Sequence, residues 1–391
     1  MAVKKGGRWA ELVETGPGTP MGRYLRKFWQ PVAISAELAP GEKTTLRVMS
    51  EDLTMYRGQS GKPYIVAERC AHRGTALETG WVEEDCIRCL YHGWKYDGTG
   101  QCVEMPAETD SFVQKVRIRA HPARDYGGLI FAYLGSDEAP EFFPKPELDA
   151  EGYQWTNLQV WNCNWFQHME NSFDGLHISY VHRNGPLGRS VSTEVPKLEY
   201  EETDWGLIQR AIRSDNVRVS EFHWPNCNHV VAPMVSVGEK PVWVDTFAWK
   251  VPVDDEHIAL IGVHRAPVTG DAAKRFEEGL VATGHYDAER HIATYDPSHH
   301  HDDVLKRRNM PEDGLFRIMA EDYIAIMRQG PIVDRAEERL GQSDAGVIFL
   351  RKVFWRELDA LKAGLPTKAW KAHPGLAELP MPPNAALAAA R

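Results

Sequence analysis

The chain has 391 residues, 43% of them hydrophobic and 10% aromatic, enough to build sizeable cores in two domains. A formal net charge of −10 excludes the basic excess of a nucleic-acid binder, and no stretch approaches the roughly 18 consecutive apolar residues of a membrane-spanning helix. The opening MAVKKGGRWAELVETG has no apolar run of the signal-peptide kind, and six unevenly placed cysteines do not make a disulfide framework, so a cytoplasmic protein with free thiols or metal ligands is expected.

In chain order, residues 1–30 read as a lead-in that packs on the rest, with the turn-rich GPGTPMG and a short helical pattern through Tyr24, Leu25 and Phe28. Residues 31–140 read as a small all-β domain: TTLRVM, DLTMYRG, PYIVAE, CVEM and VRIRAHPARDYGGLIFAYLG are strand-like runs between Gly, Asp and Pro turns. The Pro-rich APEFFPKPEL serves as a linker into residues 141–391, an α+β domain. There Asn162–His182 and Glu312–Gln329 read as helices, Gln209–Ala266 alternates as strands, and a last helix runs from Ser343-Asp344 to Ala363-Gly364.

Four cysteines fall between Cys70 and Cys102, and two of them pair with histidines as C-x-H-x16-C-x2-H: Cys70, His72, Cys89 and His92. Two thiolates on one iron and two imidazoles on the other make a Rieske-type [2Fe-2S] centre, and Gly74 and Gly93 suit the tight loops this requires. Zinc is the alternative for a Cys2His2 set, but its usual spacing pairs Cys with Cys and His with His. Cys86 has no second histidine at the matching offset and reads as structural. Arg69, Arg73, Arg88 and Lys95 surround the four residues; they either raise the cluster potential and steer an acidic electron donor or are solvated loop charges.

A second constellation is HMENSFDGLHISYVHRNG, with Asp174, His177 and His182 as D-x2-H-x4-H. Two histidines and one carboxylate are the usual protein ligands of an O2-activating mononuclear Fe(II), because they leave coordination positions open. His177 and His182 lie about 140° apart on an ideal helix, so a broken or bulged helix over Gly175–His182 is expected. The distant carboxylate is sought in GLFRIMAEDYIAIMRQG. Helical periodicity puts Asp322 in the apolar stripe with Leu315, Met319 and Ile326, and Glu321 on the polar face with Arg317 and Arg328. Asp322 is therefore the expected ligand and Glu321 a solvated ion-pair residue.

These motifs, Cys70-Ala-His72-Arg73-Gly74, Cys89-Leu-Tyr91-His92-Gly93-Trp94-Lys-Tyr96-Asp97 and Asp174-x2-His177-x4-His182, resemble the Rieske non-haem iron ring-hydroxylating oxygenases. GPGTPMGRYLRKFWQPV and QGPIVDRAEERLGQSD are similar to the phthalate-dioxygenase-like branch; Ala71 stands where many members have Pro. The resemblance implies a terminal oxygenase, an N-terminal all-β Rieske domain followed by an α+β catalytic domain with an antiparallel sheet and flanking helices. It also implies O2 and a small aromatic substrate, a carboxylate among the candidates. Ring dioxygenation, monohydroxylation and removal of an O- or N-methyl group all remain open, as does a Rieske electron carrier without oxygenase activity. With no G-x-G-x-x-G unit and no plant-type ferredoxin pattern, the NAD(P)H-dependent reductase, of flavin or ferredoxin type, is a separate protein. By the same resemblance, Asp174 links His177 to His92 of the partner subunit in a homotrimer or a multiple of it; helix capping is its simpler role. Two other features are weaker. Arg210, Arg213 and Arg218 suit either a substrate carboxylate or solvated strand positions, and His299–His301 with Asp302 and Asp303 reads as a surface loop.

Overall fold

The computed structural model describes residues 7–183, 194–214, 217–237, 240–300 and 314–375. Two compact units emerge, one comprising Thr15–Phe142 with Val251–Asp254 and the other Met1–Glu14, Phe143–Lys250 and Asp255–Arg391. The lead-in stretch 1–30 is thus divided between them.

The first unit is built from three small sheets. Trp29–Ile34, Leu129–Tyr133 and Ala123–Tyr126 form an antiparallel three-stranded sheet, and Lys43–Val48, Glu51–Arg57, Pro63–Ala67 and Ala120–His121 form a four-stranded one. A third sheet is formed by Trp81–Glu83, Cys86–Arg88, Lys95–Tyr96 and Cys102–Glu104; the last falls in the expected CVEM run, while the other three are hidden in the sequence by their length of two or three residues. Tyr56, Val66, Leu77, Ile87, Trp94, Tyr96 and Met105 make a core that also takes in Cys70 and Cys89. The helix Pro20–Leu25 starts as its sequence dictates: Thr19 accepts from Gly22 N–H at 3.0 Å, and proline occupies the first turn, where its missing donor does no harm.

The second unit is organised on a nine-stranded sheet in the order Lys197–Glu202, Gly206–Ile212, Val217–His223, Cys227–Val237, Lys240–Pro252, Ile258–Ala266, Tyr153–Trp161, Ile292–Ala293, Tyr286–Asp287. Among the pairings given by the described residues, all are antiparallel except the single Thr156–Ile292 one. The helix Gly270–Ala282, not anticipated from the sequence, buries Phe276 and Leu280 against Trp155, Val244 and Ala266. Its apolar face is two residues wide, too weak a periodic signal to stand out. The last helix, Ala345–Lys362, matches its expected limits.

Helix Trp165–Ser172 is capped by Asn164, whose side chain accepts from Phe166 N–H. Its Glu170 is buried between two arginines, with Arg335 Nη2 at 2.6 Å and Arg351 Nε at 2.6 Å, while Arg351 also grips Glu338. Buried charges of this kind are tolerated only when each has its partner. The network ties the helix that leads into His177 to the segment carrying Arg335 and to the last helix. No helix among the described residues is long and apolar enough to cross a membrane.

Candidate functional site

The loops 70–75 and 89–94 repeat one design. Gly74 N–H donates to Cys70 O (3.0 Å) and Cys70 N–H to Thr75 O (2.9 Å); Gly93 N–H donates to Cys89 O (3.1 Å) and Cys89 N–H to Trp94 O (2.8 Å). Gly74 and Gly93 have φ of 76° and 75°, the left-handed region that favours glycine. Cys70 and Cys89 are buried while His72 and His92 are exposed, with their rings 4.4 Å apart. His72 stacks on Trp94 (4.5 Å) and His92 lies 3.8 Å from the Tyr91 ring. Thiols inside and imidazoles at the tips match the two-iron division of ligands that a Rieske centre needs. Tyr96 Oη lies 3.2 Å from Cys70 Sγ and accepts from Ala71 N–H, so its own hydrogen is free to point at the sulfur.

The surrounding cations are not free steering charges. Arg69 Nη1 donates to Gly74 O and Arg88 Nη1 to Gly93 O, so the arginine preceding each cysteine braces its own loop. Arg69 also meets Glu68, Arg88 is forked between Glu83 and Glu104, and Lys95 meets Glu83. Arg73 instead lies over the Tyr91 ring. Cys86 sits in a strand paired with Glu83, away from any second histidine.

In the second unit the irregularity expected over Gly175–His182 is met only at its start: the chain breaks at residues 173–176, ahead of both histidines. The helix ends at Ser172, and a separate short helix, His177–Val181, follows. Gln209 Nε2 donates to Phe173 O (2.6 Å), and a Cβ at Gly175 would come within 2.7 Å of Leu198, so the chain turns where the sheet passes closest. His177 opens the short helix and His182 is its C-terminal cap, so no bulge separates the two; only His182 itself leaves helical geometry, at φ −95° and ψ 12°. Their rings are 5.5 Å apart.

Helix Gly314–Met327 brings Asp322 to this pair: its Oδ1 lies 3.3 Å from His182 Nε2 and 3.6 Å from His177 Nε2, and is buried with no hydrogen-bond partner. The tautomers follow from what holds the other ring nitrogens. His177 Nδ1 donates to the main-chain O of Asp174 (2.5 Å) and His182 Nδ1 to Glu321 Oε2 (2.9 Å), which turns both Nε2 lone pairs toward Asp322. Burial disfavours protonated His182, yet Asp322 and Glu321 outweigh it and raise its pKa to about 9. Burial likewise opposes the Asp322 carboxylate, which His182 and His177 nonetheless hold well below the ordinary range. Such a pocket can exchange a proton for a divalent cation, and an orphaned carboxylate oxygen facing two imidazole lone pairs fits one.

Glu321 corrects the periodicity argument. Its side chain is 8% exposed, more enclosed than that of Asp322 at 19%. It does pair with Arg317 (3.2 Å), as expected, but its other oxygen orients His182. Helical phase alone placed it facing solvent because the wheel does not know that a histidine arrives from 139 residues away. Asp174 Oδ1 accepts from Leu176 and His177 N–H, so within the chain its carboxylate caps the short helix and its carbonyl holds His177. Of the three arginines, Arg210 pairs with Glu201 and Arg213 donates to Ser179 and Glu194 O. Arg218 Nη1 is buried without a hydrogen-bond partner. His299 is exposed at 76%, and His301, Asp302 and Asp303 lie outside the described residues.

Comparison with known proteins bears on both units. The Rieske [2Fe-2S] domain family matches residues 28–119 and the LigXa C-terminal domain-like family residues 132–376. The chain is 31% identical over 400 residues to the oxygenase subunit of 5,5'-dehydrodivanillate O-demethylase from a Sphingobium species, covering 95% of this chain and 85% of that one. It is 29% identical to the oxygenase subunit of phthalate 4,5-dioxygenase from Pseudomonas putida, covering 88% and 84%. Its fold is similar to the oxygenase in an oxygenase–ferredoxin complex of carbazole 1,9a-dioxygenase, with a TM-score of 0.60 at 20% identity over 84% of this chain and 89% of that one. The chain belongs to the Rieske non-haem iron oxygenases, as an oxygenase subunit with an N-terminal [2Fe-2S] domain.

Proposed function

We propose that His177, His182 and Asp322 hold a mononuclear Fe(II) and that Cys70, His72, Cys89 and His92 hold the cluster, together oxidising an aromatic carboxylate with O2. The observation that carries this reading is the convergence of two Nε2 lone pairs and the partnerless Asp322 Oδ1. Fe(II) there supplies O2 activation, and the cluster supplies electrons one at a time. The chain's own residues aim both imidazoles: the Asp174 carbonyl does so for His177 and Glu321 for His182. In this reading the Asp174 carboxylate also faces His92 of the partner subunit in a homotrimer, and electrons arrive from a separate reductase or ferredoxin. The carbazole dioxygenase complex with ferredoxin supports such a donor.

Arg218 favours an anionic substrate. Burial and its neighbour Arg213 bring its pKa down to about 10, so it stays charged at neutral pH, and the field of Asp322 acts on it. A half-buried arginine whose enclosed Nη1 donor is unused calls for an anion. O- or N-demethylation of a methoxylated or N-methylated aromatic is the second reading, favoured by the O-demethylase relative. A Rieske carrier without oxygenase activity would have no use for the triad.

The test is product analysis by mass spectrometry under 18O2 with a surrogate reductase, NADH and a panel of aromatic carboxylates and methoxylated aromatics. Two labelled oxygens in a cis-diol establish ring dioxygenation, whereas formaldehyde with a demethylated product establishes the second reading. No labelled product from any carboxylate, with turnover of neutral aromatics, would sink the Arg218 assignment.

A further inference from the structure

One face of the large sheet looks toward the histidine pair and Asp322, and it carries polar groups whose hydrogen-bonding capacity the chain leaves unused. Register fixes which residues share that face. Phe222 packs edge-on against Phe173, with ring centroids 4.6 Å apart, at the end of the helix that leads to His177. Asn228 stands directly opposite Phe222, and Ala248 directly opposite Asn228, so all three point to the same side. Side chains two residues apart on a strand share a face, which adds Lys250 beside Ala248 and Arg218 ahead of Phe222. The field of Asp322 acts on both Lys250 and Arg218, in keeping with that placement. Glu221, His229 and Phe247 occupy the other face, in contact with one another.

Asn228 Oδ1 is enclosed and has no hydrogen-bond partner. Lys250 is 1% exposed, and its Nζ donates to Ala248 O at 3.1 Å, reaching back along its strand to the residue paired with Asn228. Charged or neutral, that amine has at least one N–H to spare, and among the described residues it makes only this bond. An unmet acceptor beside an unmet donor is the complement of a hydroxyl group, which donates and accepts at once. A hydroxyl also suits either orientation of the Asn228 amide. Water can serve these groups in an empty pocket, but a ring that displaces it loses affinity unless it restores the bonds.

We infer that Asn228 and Lys250 read a hydroxyl on the substrate ring, an inference that rests on the proposal that an aromatic carboxylate binds at this face through Arg218. Along the strand, the Arg218 backbone lies about 14 Å from the level of Asn228. The hydroxyl therefore belongs to the end of the substrate away from its carboxylate.

The test is titration calorimetry on the anaerobic Fe(II) holoenzyme, which reads binding without turnover. The ligands are 3- and 4-hydroxybenzoate and 4'-hydroxybiphenyl-4-carboxylate, each against its parent acid and its methyl ether, together with phenol and 4-phenylphenol. At least one hydroxy acid is expected to bind about tenfold or more tighter than both its parent and its ether, since an ether accepts a hydrogen bond but cannot donate one. Asn228→Leu should bring that ratio close to one with iron and cluster content unchanged, and Lys250→Met should lower it severalfold. The wild-type comparison stands even if neither variant folds. Equal affinity of parent acid, ether and hydroxy acid overturns the inference and leaves the carboxylate reading in place, as does a full preference retained in every variant that folds. Hydroxylated rings that bind equally well with and without a carboxylate support the inference while the carboxylate reading falls. No binding by any of these ligands overturns both.

Discussion

The two histidine pairs of this protein are prepared in opposite ways. His72 and His92 stand exposed at the tips of two loops that are shaped almost entirely by their own main chain and one arginine each. His177 and His182 are enclosed, and each depends on an acceptor that fixes its tautomer; for His182 that acceptor comes from a helix 139 residues on. An electron-entry group gains from reach and can be specified locally. An oxygen-activating pocket gains from exclusion of water, and that requires the tertiary fold.

The largest test of this contrast is Asp322→Ala. Turnover should fall at least about a thousandfold, because the metal loses a ligand from a three-residue set, while the Rieske EPR signal of the reduced protein stays intact. Loss of both would show that the two centres are not built independently. Glu170→Ala is next: it strands the buried Arg335 guanidinium, leaves Arg351 only Glu338, and should lower the stability of the catalytic unit by about 3–5 kcal/mol, read by denaturant unfolding. The visible absorbance of the cluster should outlast that transition if the loops are self-sufficient.

Lys250 probes the same unit by pH. It is 1% exposed, and burial lowers its pKa to about 7. The unfolded chain, with an ordinary value of about 10.4, binds more protons between those limits, so stability rises with pH across that window. Lys250→Met should therefore exceed the wild type by a few kcal/mol at pH 7, with the gap closing toward pH 10. A gap independent of pH would mean the ammonium is not penalised in the fold. Glu321→Gln should weaken iron binding about 10- to 100-fold without touching the cluster, measured by chelator competition. On the cluster side, Tyr96→Phe removes a hydroxyl from Cys70 Sγ and should lower the midpoint potential by about 1 kcal/mol, roughly 40 mV for one electron.

What the sequence disclosed follows the same division. Cys70, His72, Cys89 and His92 were legible because the loops that carry them lie close together in the chain and recur as one pattern. Because five residues cannot bring two side chains to one side of a regular helix, an irregularity was expected between His177 and His182, but the chain breaks ahead of both, at residues 173–176, where Gln209 and Leu198 crowd it from the sheet. Asp322 was separable from Glu321 by helical phase, but the conclusion that Glu321 faces water failed, since phase describes one helix and His182 belongs to another.

The paired loops around Cys70 and Cys89 have a consequence for how the protein matures. Their main-chain bonds and arginine braces involve no iron, so the jaws can take shape in the newly folded polypeptide before any cofactor arrives. Those bonds meet part of the entropy cost of ordering the loops, a share that the cluster need not supply.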